Sequence, residues 1–147
     1  MGVLPFIYLW MCNSILIEIM AGPQGSKYYN IFLDYKISLT GKDNFEVFDE
    51  ERFALLQKIH DHGSLAAASE AMAISYRKAW GLIREAEESV GFSLVEKQRG
   101  GKDGGRSELT SEGKKLLEAY LELRVEFDAS IHKITKKFFH KLNDQPL

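Results

Sequence analysis

Arg77, Lys78 and Arg84 fall on one short stretch that also carries Ser75, Tyr76 and Trp80. Cations at helical spacing beside hydroxyl and aromatic groups suit the binding of phosphate and of base edges. A guanidinium pairs bidentately with guanine or with phosphate, while lysine contributes a point charge. A serine at a helix start adds backbone N–H donors for phosphate. Tyr76 and Trp80 are able to pack on sugar or a thymine methyl, although tryptophan serves more often in helix packing. A second basic cluster, Lys97, Arg99, Lys102 and Arg106, is interleaved with four glycines in KQRGGKDGGR. Such a backbone can lie against a duplex, on phosphate or in the minor groove. The plain alternative is a solvated loop, as it is a solvated face for the helical cations.

The elements that must position these residues are legible in the spacing. Residues 63–91, GSLAAASEAMAISYRKAWGLIREAEESVG, encode two short helices around a three-residue break. Ser64 caps the first and is counted among the expected DNA contacts. Ala68 and Met72 point inward, and Ser69 is small enough to let a crossing helix approach. Ala73 takes the tight turn, and Ile74 fills the space between the helices. Ser75 caps the second helix, whose buried stripe is Ala79, Leu82, Ile83 and Ala86. Its outward positions are then Tyr76, Arg77, Lys78, Trp80, Gly81 and Arg84. The pattern is a helix-turn-helix, with a recognition helix over about 75–88 suited to a major groove.

Upstream, Tyr28–Leu39 is rich in Tyr, Ile, Phe and Leu, with Asp34 and Lys36 spaced to face outward. With TGKDN (40–44) and FEVF it reads as a strand, a turn and a short second strand. Asp49 caps a helix over about 49–62. Glu50 and Glu51 sit in its first turn, Phe53, Leu56 and Ile59 face inward, and Gly63 is the stop. Downstream of Gly91, FSLVEK (92–97) is a strand, RGGKDGGR (99–106) a loop and SELT (107–110) a returning strand. A hairpin with a basic tip directly after a recognition helix is a wing. Thr110 caps a last helix of roughly 28–32 residues, within the range of long natural helices. Its apolar positions, Leu116, Leu117, Tyr120, Leu121, Leu123, Val125, Phe127, Ile131, Ile134 and Phe138, outrun what a small domain covers. Such a helix finds a partner, most simply from a second copy of the chain.

The expected fold class is therefore mainly α (α+β): a winged helix-turn-helix with a β-hairpin wing, a short N-terminal β element and a long C-terminal dimerisation helix. The expected divisions are 1–27, an apolar extension with the linker AGPQGSK; 28–110, the winged domain; and 111–147, the long helix. At 147 residues with net charge −2, the whole-chain balance announces no nucleic-acid partner. Distribution says more than the sum. Residues 34–51 hold Asp34, Asp43, Glu46, Asp49, Glu50 and Glu51 against Lys36 and Lys42, whereas 97–106 hold four cations against Asp103.

Cys12 is the single cysteine, so no internal disulfide or multi-cysteine metal site is expected, and a reducing cytoplasm suits the chain. The first twenty residues are apolar, but Pro5, Asn13 and Glu18 interrupt them and no cation precedes Lys27. The leading reading is translation from an upstream start with Met20 as the natural first residue; a membrane-associated anchor and an ordered extra element are the alternatives. His60 and His62 flank Asp61 but do not face one another, so a helix-terminal cation role is preferred to a metal. The basic tail around Lys133, Lys136, Lys137 and Lys141 reads as a solvated face. No nucleophile–base spacing stands out, and GGKDGG lacks the Lys-Ser/Thr ending of a phosphate loop. No enzyme activity, cofactor or metal is expected.

ISYRKAW (74–80), LVEKQRGGKDGG (94–105) and LTSEGKKLLEAY (109–120) together resemble the N-terminal DNA-binding domain of ModE-type molybdate-responsive transcription regulators. That domain is similar in turn to the winged helix-turn-helix of LysR-type regulators. The resemblance runs from about Leu33 to about Phe127. It implies binding of double-stranded DNA, homodimerisation and a regulatory role. Members of that family carry C-terminal domains that bind the oxyanion, which the matching residues do not include, so molybdate sensing is not carried over. Two other readings stay open: a winged-helix interaction module working with a separate sensor subunit, and a direct oxyanion sensor.

Overall fold

The computed structural model describes residues 25–98 and 105–143. Calls on side chains set the helix boundaries. Helix α1 (Glu50–His62) starts where the Asp49 carboxylate accepts the Arg52 backbone N–H at 2.8 Å, and ends at Gly63 with φ 64°. Helix α2 (Leu65–Ala71) is capped by the Ser64 hydroxyl, which accepts the Ala67 N–H. Helix α3 (Tyr76–Val90) is capped by Ser75 Oγ, which accepts the Lys78 N–H at 3.0 Å. Gly91 closes it with φ 81°, a left-handed conformation that glycine adopts without steric cost. The 32-residue helix here called α4 (Ser111–Leu142) begins at Thr110, whose Oγ1 accepts the Gly113 N–H and donates to the Ser93 carbonyl.

Two antiparallel strand pairs complete the fold. Strand β1 (Leu39–Thr40) pairs with β2 (Glu46–Phe48), and β3 (Val95–Gln98) pairs with β4 (Arg106–Leu109). The second pair runs in register from Val95 opposite Leu109 to Gln98 opposite Arg106. The expected strand over Tyr28–Leu39 is corrected: only its last residue pairs in the β1–β2 ribbon. The turn closes tightly, with the Gly41 N–H donating to Phe45 O at 2.9 Å and Asn44 at φ 61°. Leu39 lies opposite Phe48, so residues further upstream would need partners beyond Phe48, where Asp49 already caps α1, and a strand exists only where a neighbour satisfies it. The wing strand likewise begins at Val95, not Phe92, which is exposed.

The chain forms two compact units, Lys36–Leu123 and a second made of the residues up to Tyr35 together with Arg124–Leu147. In the first, Phe53 stacks on Tyr120 with centroids 3.5 Å apart and leans on Phe48 at 5.2 Å, fixing the start of α4 to α1. Leu55, Leu56, Ile59, Leu65, Ala68, Ala79, Ile83, Leu94 and Leu117 are buried around this stack. Leu82 and Ile74, expected inside, are half-buried. In the second unit the Tyr35 hydroxyl donates to the Asp128 carboxylate, and the Arg124 guanidinium lies 5.9 Å from the Tyr35 ring. Thr135 and Phe139 are buried there, while Val125, Phe127, Ile134 and Phe138 are exposed along α4. Among the described residues, no helix is long and apolar enough to cross a membrane. The apolar residues 1–20 lie outside the described residues.

The closest backbone approach is at Gly113, where an added Cβ would stand 2.4 Å from the Leu94 carbonyl oxygen. Gly113→Ala is therefore expected to cost about 1–3 kcal/mol, the usual penalty of overpacking. Ile83→Ala, leaving a hole between helices, is expected to cost about 2–5 kcal/mol. Urea denaturation followed by circular dichroism measures both.

Candidate nucleic-acid interface

The turn between α2 and α3 is tight. Ala73 adopts φ 55°, its N–H donates to Glu70 O at 3.0 Å, and the Ile74 N–H donates to Ser69 O at 3.1 Å. The buried Ser69 hydroxyl is satisfied by the Ala66 carbonyl at 2.7 Å. This arrangement lets α3 cross close to α2, with Ala79, Ile83 and Ala86 buried on one stripe.

The opposite face of α3 is open. Tyr76, Arg77, Lys78 and Arg84 are exposed, as is Ser75 at the helix start. Arg77 makes no ion pair among the described residues. The Lys78 ammonium pairs with Glu51 in the first turn of α1. Arg84 and Glu88 stand 3.8 Å apart, both well exposed, so solvent screens most of that attraction.

Two of the outward positions differ from expectation. Trp80 and Gly81 are half-buried. The Lys97 ammonium lies 4.6 Å from the Trp80 ring centroid, within cation–π range. Lys97 and Arg106 are exposed on the wing strands, and Ser64 is half-buried with its hydroxyl used in the cap. Arg99 and Lys102 lie outside the described residues.

Acidic residues that the sequence reading passed over organise this surface. Arg52 is almost fully buried. Its guanidinium reaches Asp49 at 2.9 Å and Glu85 at 2.7 Å, joining the start of α1 to α3. A signal was present: Arg52 stands four residues before Leu56 and seven before Ile59, on the inward stripe of α1. Glu87 was missed too. Its Oε1 accepts the backbone N–H groups of Leu94 at 2.7 Å and Val95 at 3.1 Å, tying α3 to the base of the wing. Among the described residues, no cluster of His, Cys, Asp and Glu is placed to hold a metal ion.

A capped helix, a left-handed turn, a crossing helix with an open cationic face and a following β-hairpin define a winged helix-turn-helix. Residues 51–114 match the model of the bacterial regulatory helix-turn-helix protein, lysR family. The chain is 34% identical to the transcriptional regulator ModE of Yersinia pestis over 113 residues, which are 76% of this chain and 40% of that protein. It is 37% identical over 86 residues to the DNA-binding transcriptional dual regulator ModE of Escherichia coli K12, covering 58% of this chain and 33% of that one. The chain thus spans well under half the length of these relatives. A solved structure of the BenM DNA-binding domain with benA site 1 DNA covers 64% of this chain and 96% of its own, at TM-score 0.47 and 20% identity. Residues 51–114 are accordingly similar to the lysR-family helix-turn-helix, and over this region the chain resembles ModE-type regulators.

The left-handed turn generates a stability prediction. An alanine at positive φ carries a steric cost that glycine lacks, partly offset by the greater entropy glycine loses on folding. Ala73→Gly is expected to stabilise the domain by about 0.5–1 kcal/mol, within the range of backbone-compatible glycine and alanine exchanges. Thermal and urea unfolding would show it; a loss of stability contradicts the reading of strain at this turn.

Proposed function

We propose that the protein is a sequence-specific DNA-binding transcription regulator that acts as a homodimer on an inverted-repeat site. The observation that carries this reading is the exposed Tyr76–Arg84 face, with Arg77 in no ion pair among the described residues, on a helix of which one stripe is buried. In the proposed complex α3 enters the major groove, Ser75 and the helix start meet phosphate, and Arg77, Lys78 and Arg84 read phosphates and base edges. Lys97, Arg99, Lys102 and Arg106 of the wing lie on the backbone or in the minor groove. The exposed apolar stripe of α4, with Phe127, Ile134 and Phe138 at helical spacing, pairs with a second copy. A two-fold dimer then places two recognition helices about 34 Å apart, or a multiple of that. The names of the relatives support a regulatory role.

Arg77→Ala is expected to lower affinity for a duplex selected from random sequence by about 1–3 kcal/mol and to relax base preference, as for a bidentate base contact. Fluorescence anisotropy measures both; unchanged affinity and preference would favour an interaction module instead. Glu51→Gln should act in the opposite direction and tighten binding, because the carboxylate competes with phosphate for Lys78. If Lys78 then gains a phosphate contact, the slope of log affinity against log salt steepens by about 0.9. Ile134→Glu should turn the dimer into a monomer in analytical ultracentrifugation; a variant that stays dimeric places the interface elsewhere.

A further inference from the structure

Trp80 carries two competing roles, contact with DNA or packing within the protein, and its surroundings distinguish them. The indole is half-buried, and the ammonium that faces it belongs to the wing strand β3. Lys97 is exposed and forms no ion pair among the described residues, so its long side chain has no acid to hold it in place. Ordering such a chain costs conformational entropy, and attraction to the indole face is the interaction that offsets it here.

A second tie lies on the same edge of α3. Glu87, seven residues beyond Trp80, accepts the backbone N–H groups of Leu94 and Val95 at the beginning of β3. Seven residues are two helical turns, about 10.5 Å along the axis. From Val95 to Lys97 the strand advances about 7 Å, and from Leu94 about 10 Å. The advance from Leu94 to Lys97 is close to that from Glu87 to Trp80, so α3 meets the wing strand at two points: Glu87 grips its start and Trp80 its Lys97.

We infer that Trp80 is a positioning residue for the wing: its ring holds Lys97, so that the wing and the recognition helix meet DNA as one preformed surface. Trp80 then contributes to duplex binding through Lys97 and not by touching the duplex. This rests on the DNA-binding reading for its consequence, but the clamp itself is a property of the unbound protein.

The experiment has two arms and uses the full chain. The chain has two tryptophans, so a Trp10→Phe background leaves Trp80 as the sole tryptophan, excited selectively beyond the tyrosine absorption band. In the first arm, without DNA, Lys97→Gln should change the intensity and emission maximum of Trp80. An unchanged spectrum overturns the clamp, whatever the protein binds. In the second arm, affinity for a mixed-sequence duplex is measured at low salt. Trp80→Leu should weaken binding by about two- to five-fold, the equivalent of one exposed cation–π contact. The same substitution should cost nothing in a Lys97→Gln background. Trp80→Phe, which keeps an aromatic face, should recover most of the loss, and matched urea midpoints separate this from unfolding. Equal losses from Trp80→Leu with and without Lys97 would mean that Trp80 meets the duplex directly, and would overturn the proposal. Should no variant, nor the parent, bind duplex at all, the DNA-binding reading fails while the first arm still decides the clamp.

Discussion

A helix with one open face can spend only the other on its own protein, and that constraint shapes the domain around α3. The stripe that holds α3 is narrow: Ala79, Ile83 and Ala86, with only Ile83 of any size. Small side chains allow close backbone approach but bury little apolar area, so on their own they would grip weakly. The grip is supplemented at the margins by polar ties. Arg52 reaches out of the α1 core to Glu85, and Glu87 takes two backbone N–H groups of the wing. Both acids lie towards the C-terminal half of α3, away from Tyr76, Arg77 and Lys78. The helix is thus anchored by one end and one edge, and the cationic first turn is left open.

The same distribution manages charge. The chain as a whole is slightly acidic, so a basic surface must be kept local. Glu51 holds Lys78 and Glu88 stands near Arg84, which limits self-repulsion among the cations in the free protein. Exposed pairs of this kind are weak, of the order of 0–1 kcal/mol, and give way readily to a phosphate. Arg52 is different. Its side chain is buried beneath two more exposed carboxylates, and removing both would leave its charge uncompensated. The acids near the interface therefore fall into two kinds, those that are exchanged and those that cannot be.

Much of this was legible in the residue pattern because local rules and tertiary packing agree. Asp49, Ser64, Ser75 and Thr110 each cap the helix they precede, and Gly63 and Gly91 each close one. Ala73 takes the turn, and the α3 stripe is buried with the exception of Leu82, which is half-exposed. The reading failed where the outcome depends on a partner distant in sequence. Tyr28–Leu39 has strand-like composition, yet three residues of β2 offer nothing for most of it to pair with. Arg52 was passed over because a charged residue in a first turn ordinarily faces water; Glu85, 33 residues away, is what makes its burial tolerable. Trp80 was ambiguous for the same reason, since its surroundings are set by a hairpin whose path periodicity does not encode.

The long helix α4 shows how one element meets two demands. Its first turns must be specific: Gly113 has no Cβ because the Leu94 carbonyl occupies that space, and Tyr120 lies flat on Phe53. Beyond Arg124 the demand changes. Val125, Phe127, Ile134 and Phe138 are exposed while Thr135 and Phe139 on another side are buried, so the helix carries more apolar surface than the described residues cover. Exposed aromatic and aliphatic side chains in a row are costly to leave in water and are retained where something covers them. In the proposed dimer, the spacing of the two α3 faces is what an inverted repeat selects. The proposed wing clamp and the proposed helix pair are related at two scales, since each would fix a geometry before DNA is met and lower the ordering cost of binding.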